Sequence, residues 1–398
     1  MNRVVITGMS AITPIGLDAD FFDNLLNHKT NFSYHNDDTN YIVSKIDIDF
    51  KNYFKKKQIN KTDRYALLGL ICADNAITDS NLKNYDSNSI STYVGSSVGG
   101  ISTLLEESHN EYSDEFGIKY VSPLLQSKAL VNMLNANINI KYNIQGESLA
   151  ISTACASSTD AIGQAYESIK YGKNKICITG GSDSCINNLF LGGFKNMNAL
   201  TSSTYLQSAS NPFDKTRSGF VLSEGSAIFV LESLDHALKR NANIYCEIVS
   251  YASNNDAYNL VSLKEDGSRI YDCMKKALNN ASLSPSDIDY INAHGTSTLL
   301  NDKTESLAIS KLFDENILIS STKANIGHSM GACGAIELYS TIKSIRHSII
   351  PAMPNLNEVD CSYNLNFVRK NTKKEINFAL SNSFGFGGNN ACLVLKRY

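Results

Sequence analysis

The chain has 398 residues, 42% hydrophobic and 19% charged, with a formal net charge of −3. That balance excludes a largely disordered chain. The slight acidity argues against a general nucleic-acid binder, which is usually strongly basic.

Short β-rich runs alternate with helix-length stretches along the chain. Arg3–Thr7 (RVVIT) reads as a buried strand. Ser91–Val94 runs into the small-residue loop Gly95–Gly100, and Ile176–Thr179 ends at Gly180-Gly181. Ala227–Leu231, Tyr245–Tyr251, Ile288–Ala293, Phe378–Ser381 and Ala391–Leu395 complete the predicted strands. Gly-bounded strands with helical segments between them predict an α/β fold. The halves also look alike. The loop Gly95–Gly100 has a counterpart in His294–Thr298, and Gly180-Gly181 has one in Gly387-Gly388. This predicts an internal duplication near residue 240. No linker separates the halves, so two layered halves sharing one core are expected. Thr30–Lys57 is expected to cover the surface, and Asn110–Tyr120 to form a polar loop.

Ser152–Asp160 reads STACASSTD, followed by AIGQAYESIKYG. Ala161, Ile162, Ala165 and Ile169 give helical spacing, which predicts a helix starting close to Cys155 and ending before Gly172. Cys155 then sits on a strand-to-helix turn among small residues. A helix N-terminus there would stabilise a thiolate, as a nucleophilic cysteine needs. A buried structural cysteine fits the same segment.

His294 follows the strand IDYIN, and His328 lies in SSTKANIGHSMGACG with Lys323 five residues earlier. Loops at strand ends are where ligands reach α/β proteins. Either histidine alone reads as a hydrogen-bonded structural residue. Joined with Cys155, the pair makes a constellation for acyl chemistry. A metal site is not expected, because HxH, HxxxH and an acidic partner at ligand spacing are all missing. Nine cysteines at irregular spacing, without a CxxC pair, argue against a disulfide framework or a zinc ribbon. The start MNRVVITGMSAITPIG has no signal-peptide pattern, and no run approaches 18 apolar residues. A soluble cytoplasmic protein is therefore expected.

Five segments, in order, carry a resemblance over nearly the full length: STACASS, NPFDKTRSGFVLSEGS, NAHGTSTLLND, STKANIGHSMGACGAIE and NSFGFGGNN. The chain resembles the β-ketoacyl-acyl carrier protein synthases of the elongating KAS I/II type, in the thiolase superfamily. The resemblance implies a duplicated thiolase-like fold in five layers, α-β-α-β-α. Residues 1–240 would carry the nucleophile and 241–398 the two histidines. It further implies a homodimer, or a heterodimer with a chain-length-factor-like subunit. The substrates would ride on the phosphopantetheine of an acyl carrier protein, with no further cofactor, no nucleic acid and no membrane. Cys155 would carry the acyl group, while His294 and His328 would assist malonyl decarboxylation. The amides of Cys155 and Phe386 would form an oxyanion hole. Lys323 would pair with Glu305, and Glu337 would match another buried carboxylate. Thr296 and Thr298 would bind the pantetheine arm. Val98, Phe194 and Phe386 would line or gate the acyl pocket. Lys57, Lys61 and Arg64, in a basic stretch with Lys55 and Lys56, fall where the family docks its carrier protein.

The chain departs from the family at DAYNLVSL after Asn255, where Val261 replaces a pantetheine-contacting threonine. This departure, with distinctive cap regions, admits a specialised type II polyketide or polyene ketosynthase. Two other readings are a silent chain-length-factor-like subunit and a coenzyme A thiolase. Retention of Cys155, His294, His328 and Lys323 argues against the first. The FGFGGNN loop lacks the second cysteine a thiolase carries there.

Overall fold

The computed structural model describes every residue except 37, 84, 113–116 and 361–363. Cys361 and the middle of the Asn110–Tyr120 segment lie outside the described residues.

The first half contributes β1 (Val4–Thr13), α1 (Arg64–Asp79), β2 (Ile90–Gly95), β3 (Ser148–Ile151), α2 (Ser157–Lys170), β4 (Ile176–Asp183) and β5 (Gly225–Ser233). The second contributes β6 (Cys246–Asn255), α3 (Ser268–Ala281), β7 (Tyr290–Asn292), α4 (Leu299–Leu312), β8 (Leu318–Ser320), α5 (Cys333–His347), β9 (Asn366–Phe367), β10 (Phe378–Gly385) and β11 (Asn389–Lys396).

The strand order of the first half is β3-β2-β4-β5-β1, and the second repeats it as β8-β7-β10-β11-β6, with β9 added at the edge. The strand directions repeat too. The strands β3, β2 and β4 run parallel, as do β8, β7 and β10. Each set is followed by antiparallel neighbours. The halves join where β1 pairs antiparallel with β6, Val4 opposite Ile248.

The helices α2 and α5 pack on strands of both halves and on each other, forming the middle layer. The helix α1 covers β1, β4 and β5, while α3 covers β6 and β11. This is the expected five-layered α-β-α-β-α arrangement. The central strands are buried on both faces: every residue of β1, β4 and β5 is buried.

Several strands run longer than predicted. Gly180-Gly181 does not end β4 but lies inside it. A Cβ on Gly181 would come within 2.4 Å of the Ser158 side chain, so the small residue marks where α2 sits down on the sheet. Thr30–Lys57 is not all surface either. Its strand Asp38–Ser44 pairs with Leu222–Ser223, and Ile42 and Val43 are buried. The predicted loop Asn110–Tyr120 begins as the end of a helix, Ile101–Tyr112.

Candidate active site

Cys155 lies on the turn from β3 into α2, buried at 5% exposure. The turn is tight. The Thr153 amide donates to Ser157 Oγ at 2.9 Å, and the Ala156 amide donates to the Thr153 carbonyl at 3.1 Å. Ala154 takes a φ of 52°, a left-handed conformation that costs an alanine roughly 1–2 kcal/mol. The end of β10 closes over this turn. A Cβ on Gly385 would stand 3.0 Å from the Cys155 amide nitrogen and 3.0 Å from the Thr153 carbonyl. The backbone amides of Phe386 and Cys155 both point at the Cys155 sulfur.

Burial pushes the thiol up to about 11, against the pull of the Lys323 charge and those amides. The expected thiolate is therefore not the resting form. Desolvation outweighs the helix N-terminus, a field worth about 1 kcal/mol. The other described cysteines are all buried and unpaired.

The two histidines converge on Cys155 from loops of the second half. His328 Nε2 stands 3.1 Å from the sulfur. The rings of His294 and His328 meet edge to face, 5.4 Å apart at 86°. The Met330 amide donates to His328 Nδ1 at 3.2 Å, which leaves the ring proton on Nε2. Lys323 Nζ lies 3.3 Å from His294 Nδ1 and donates to the His294 carbonyl at 2.6 Å. The ammonium has only protons to offer, so His294 also carries its hydrogen on Nε2. Burial, then the Lys323 charge, holds both imidazoles well below their ordinary range, so both are neutral.

The partner of Lys323 is Glu337, not Glu305. The helix α5 carries Glu337 into the middle layer, while Glu305 on α4 is already occupied. Its two oxygens accept the amides of His294 at 2.9 Å and Gly295 at 2.8 Å, fixing the histidine loop. Burial pushes Glu305 up to about 7. Attraction to Glu337 holds Lys323 above the ordinary lysine range, so it stays an ammonium.

The Cys155 sulfur and one nitrogen of each histidine lie within 4.8 Å of one another, a spacing that would suit a metal ion. The donor chemistry does not. Each Nδ1 is taken, and both Nε2 atoms present a proton rather than a lone pair.

A cavity of about 270 Å³ opens onto these groups, lined also by Thr296, Thr298, Phe194 and Phe386. Thr296 and Thr298 share a hydroxyl–hydroxyl bond of 2.8 Å. Phe194 sits between Phe220, which it meets edge to face at 5.2 Å, and Phe386, whose tilted ring is 6.4 Å away. Val98 does not line this cavity; it packs against the apolar cluster beside it. Val261 lines the mouth, 46% exposed.

Lys57 and Lys61 are exposed. Arg64 is not available in the same way. Its Nε and Nη2 bind the buried Glu224 at 2.8 and 2.6 Å, and Nη2 also bonds the Ile46 carbonyl. A buried carboxylate demands such a partner.

Two supporting carboxylates were not anticipated. Asp183 accepts the Gly331 amide at 2.7 Å and the Ser96 and Ser97 hydroxyls. Asp302 accepts the amides of Phe213, Thr296 and Ser297. Asp302, four residues past Thr298, had a readable signal: a short carboxylate opening a helix can reach back to loop amides.

The family model for the beta-ketoacyl synthase N-terminal domain matches residues 1–237, and that for the C-terminal domain matches residues 245–357. The chain is 37% identical to a putative mitochondrial 3-oxoacyl-(acyl-carrier-protein) synthase of Schizosaccharomyces pombe, over all of both chains. It is 36% identical to 3-oxoacyl-(acyl-carrier-protein) synthase 2 of Coxiella burnetii, covering 100% of this chain and 99% of that one. Among solved structures, a beta-ketoacyl synthase from Burkholderia phymatum superposes with a TM-score of 0.93 at 28% identity, covering 100% of both chains. A type II polyketide ketosynthase, solved in complex with its acyl-carrier protein and bound to a hexaketide, gives 0.92 at 28%, covering 100% of this chain and 99% of that one. The chain belongs to the beta-ketoacyl synthase family and is an acyltransferase of its carbon–carbon-bond-forming class.

Proposed function

We propose that the chain condenses an acyl group held on Cys155 with a malonyl group, both delivered on the pantetheine arm of an acyl carrier protein. One observation carries this reading: two neutral imidazole N–H groups and the Cys155 sulfur converge in one cavity.

In the first step the Cys155 sulfur attacks the incoming thioester carbonyl. The carbon–sulfur bond to the arm breaks, and the thiol proton ends on the departing pantetheine sulfur. The amides of Cys155 and Phe386 hold the oxyanion. In the second step malonyl thioester loses CO2. The electron pair becomes an enolate, whose oxygen accepts hydrogen bonds from His294 and His328. Because the rings are neutral, they donate without surrendering a proton. The enolate carbon attacks the Cys155 thioester, the sulfur leaves as a thiolate that takes a proton from water to regain its thiol form, and the product is a β-ketoacyl thioester two carbons longer. Burial, helped by the Lys323 ammonium that Glu337 holds in place, keeps the rings uncharged. Thr296 and Thr298 line the path of the arm.

A second chain is part of the proposal. Among the described residues β3 pairs with β2 alone, and Leu149 on it is 45% exposed. Ile140, on the helix packed against β3, is 82% exposed. An open apolar strand edge favours pairing with a like or related subunit. The free thiols of the described cysteines favour a reducing compartment such as the cytoplasm. No helix of the described residues is long and apolar enough to cross a membrane.

Intact-mass spectrometry after incubation with acyl carrier proteins of several chain lengths tests the reading. An acyl adduct that disappears in Cys155→Ala is expected. His294→Ala and His328→Ala should still load acyl groups but decarboxylate malonyl carrier protein about 10²–10³-fold more slowly. Normal condensation by either histidine variant would refute the assigned role.

A further inference from the structure

Asp160 sits in the first turn of α2 and is 8% exposed. Its two oxygens face different halves of the chain. Oδ2 accepts the Thr153 hydroxyl at 2.5 Å, and Oδ1 accepts the Tyr251 hydroxyl at 2.7 Å. Tyr251 belongs to β6, and its ring lies against Gly163, where a Cβ would come within 2.4 Å. The tyrosine is therefore wedged against α2, one turn beyond the aspartate. Asp160 and Thr153 line a separate cavity of about 420 Å³, not the one that holds Cys155 and the histidines.

Thr153 is pinned at every polar atom that could move it. Its amide, carbonyl and hydroxyl are bonded to Ser157, Ala156 and Asp160 in turn. Between Thr153 and Cys155 stands only Ala154, held at a φ of 52°. A left-handed alanine persists only where its surroundings over-determine it. Two of these bonds are local, and the Asp160 bond is the one that ties the Thr153 side chain, through Tyr251, to the other half.

We infer that Asp160 is a positioning residue, which ties Thr153 to Tyr251, keeps the Ala154 turn left-handed, and so keeps the Cys155 amide aimed at the acyl carbonyl. The inference rests on the reading of Cys155 as the acyl-carrying nucleophile. The histidine side of the site is held by other bonds, those of Met330, Lys323 and Glu305. The two half-reactions should therefore separate.

Asp160→Ala is expected to slow transfer of an acyl group to Cys155 about 10- to 100-fold, part of the full loss of an oxyanion donor. Malonyl decarboxylation should stay within about twofold. Thr153→Val, at a half-buried site, removes the same bond from its other end and should give the same split. The double variant should be no worse than Asp160→Ala, which already removes the Thr153 bond. Asp160→Asn keeps an acceptor for Thr153 and should restore most of the acylation rate. Equal loss of both half-reactions, additive singles, or normal acylation in both singles would overturn the inference. A wild-type chain that takes up no acyl group would instead fail the reading of Cys155, and this inference with it.

Discussion

The Met330 amide donates to Nδ1 of His328 from only two residues away, at 3.2 Å. Met330 reaches that geometry by adopting a φ of 52°, so local backbone strain is stored to fix one proton on the far side of a ring. At His294 a side chain, Lys323, does the same work at 3.3 Å. Two unrelated devices give the same tautomer, and His328 Nε2 stands 3.1 Å from the reacting sulfur.

The first prediction follows from those neutral rings. Burial and the Lys323 ammonium depress both imidazoles well below 6.5. Carbon-13 NMR of histidine-labelled protein should show His294 and His328 as non-titrating Nε2–H tautomers from pH 8 to 5.5. A midpoint near 6.5 for either ring, lost in the corresponding alanine variant, would contradict the assigned donors.

Cys155 should behave as an ordinary buried thiol until a substrate arrives. With its thiol pushed up to about 11, the thiolate is about one part in 10⁴ at pH 7. Alkylation by iodoacetamide should rise about tenfold per pH unit from pH 7 to 10. A plateau below pH 9 would show a pre-formed thiolate.

The site was legible in the sequence where the backbone changes direction. STACASS, NAHGTST and ANIGHSMG each combine small residues with one reactive side chain at a strand or helix end, and the fold brings those three together. The pairing of Lys323 was misread because Glu305 and Glu337 are both buried helical carboxylates. Which one reaches the ammonium depends on how α5 crosses the middle layer, a long-range fact. Arg64 was misread for a similar reason: in sequence it belongs to a lysine-rich run, while its partner Glu224 is 160 residues away. The role of Thr153 was invisible, since its hydroxyl gains meaning only when Tyr251 crosses from the second half.

Lys323 and Glu337 are each 1% exposed at the side chain. Removing one partner of such a pair strands a buried charge and costs about 3–5 kcal/mol. Lys323→Met should therefore lower unfolding free energy by about that amount. Lys323→Met with Glu337→Gln should recover most of it, because no charge is stranded, yet should not recover decarboxylation. Denaturant unfolding and malonyl decarboxylation, measured on the same samples, check both halves. Recovery of activity in the double variant would remove Lys323 from the chemistry.

The exposed lysines give a prediction about partner recognition. Lys57 and Lys61 are exposed, whereas Arg64 is engaged with the buried Glu224. Lys57→Glu with Lys61→Glu should raise KM for a carrier-bound acyl group several-fold and leave a small-molecule thioester unchanged. Equal effects on both substrates would place the docking surface elsewhere.

Gly385 provides the sharpest steric test. The Phe386 amide reaches the Cys155 sulfur only because β10 ends directly over the nucleophile turn, and Gly385 makes that approach possible. A methyl group there would meet the Cys155 nitrogen and the Thr153 carbonyl, each at 3.0 Å, and both belong to a rigid turn. One strand end or the other must give way, carrying the Phe386 amide off its target. Gly385→Ala should slow acyl transfer by about 10²–10³-fold, the cost of one oxyanion donor. Its stability should fall by only about 1–3 kcal/mol, the usual cost of overpacking. Gly192→Ala is the matching control. That glycine lies in the helix Asn188–Asn196 with nothing within 4 Å of the added carbon. There the methyl should stabilise the helix by about 0.5–1 kcal/mol. Rapid-quench acylation and denaturant unfolding on the two variants separate the steric effect at the site from the general effect of adding a methyl group. Acylation at the wild-type rate in Gly385→Ala would dismiss the Phe386 amide as an oxyanion donor.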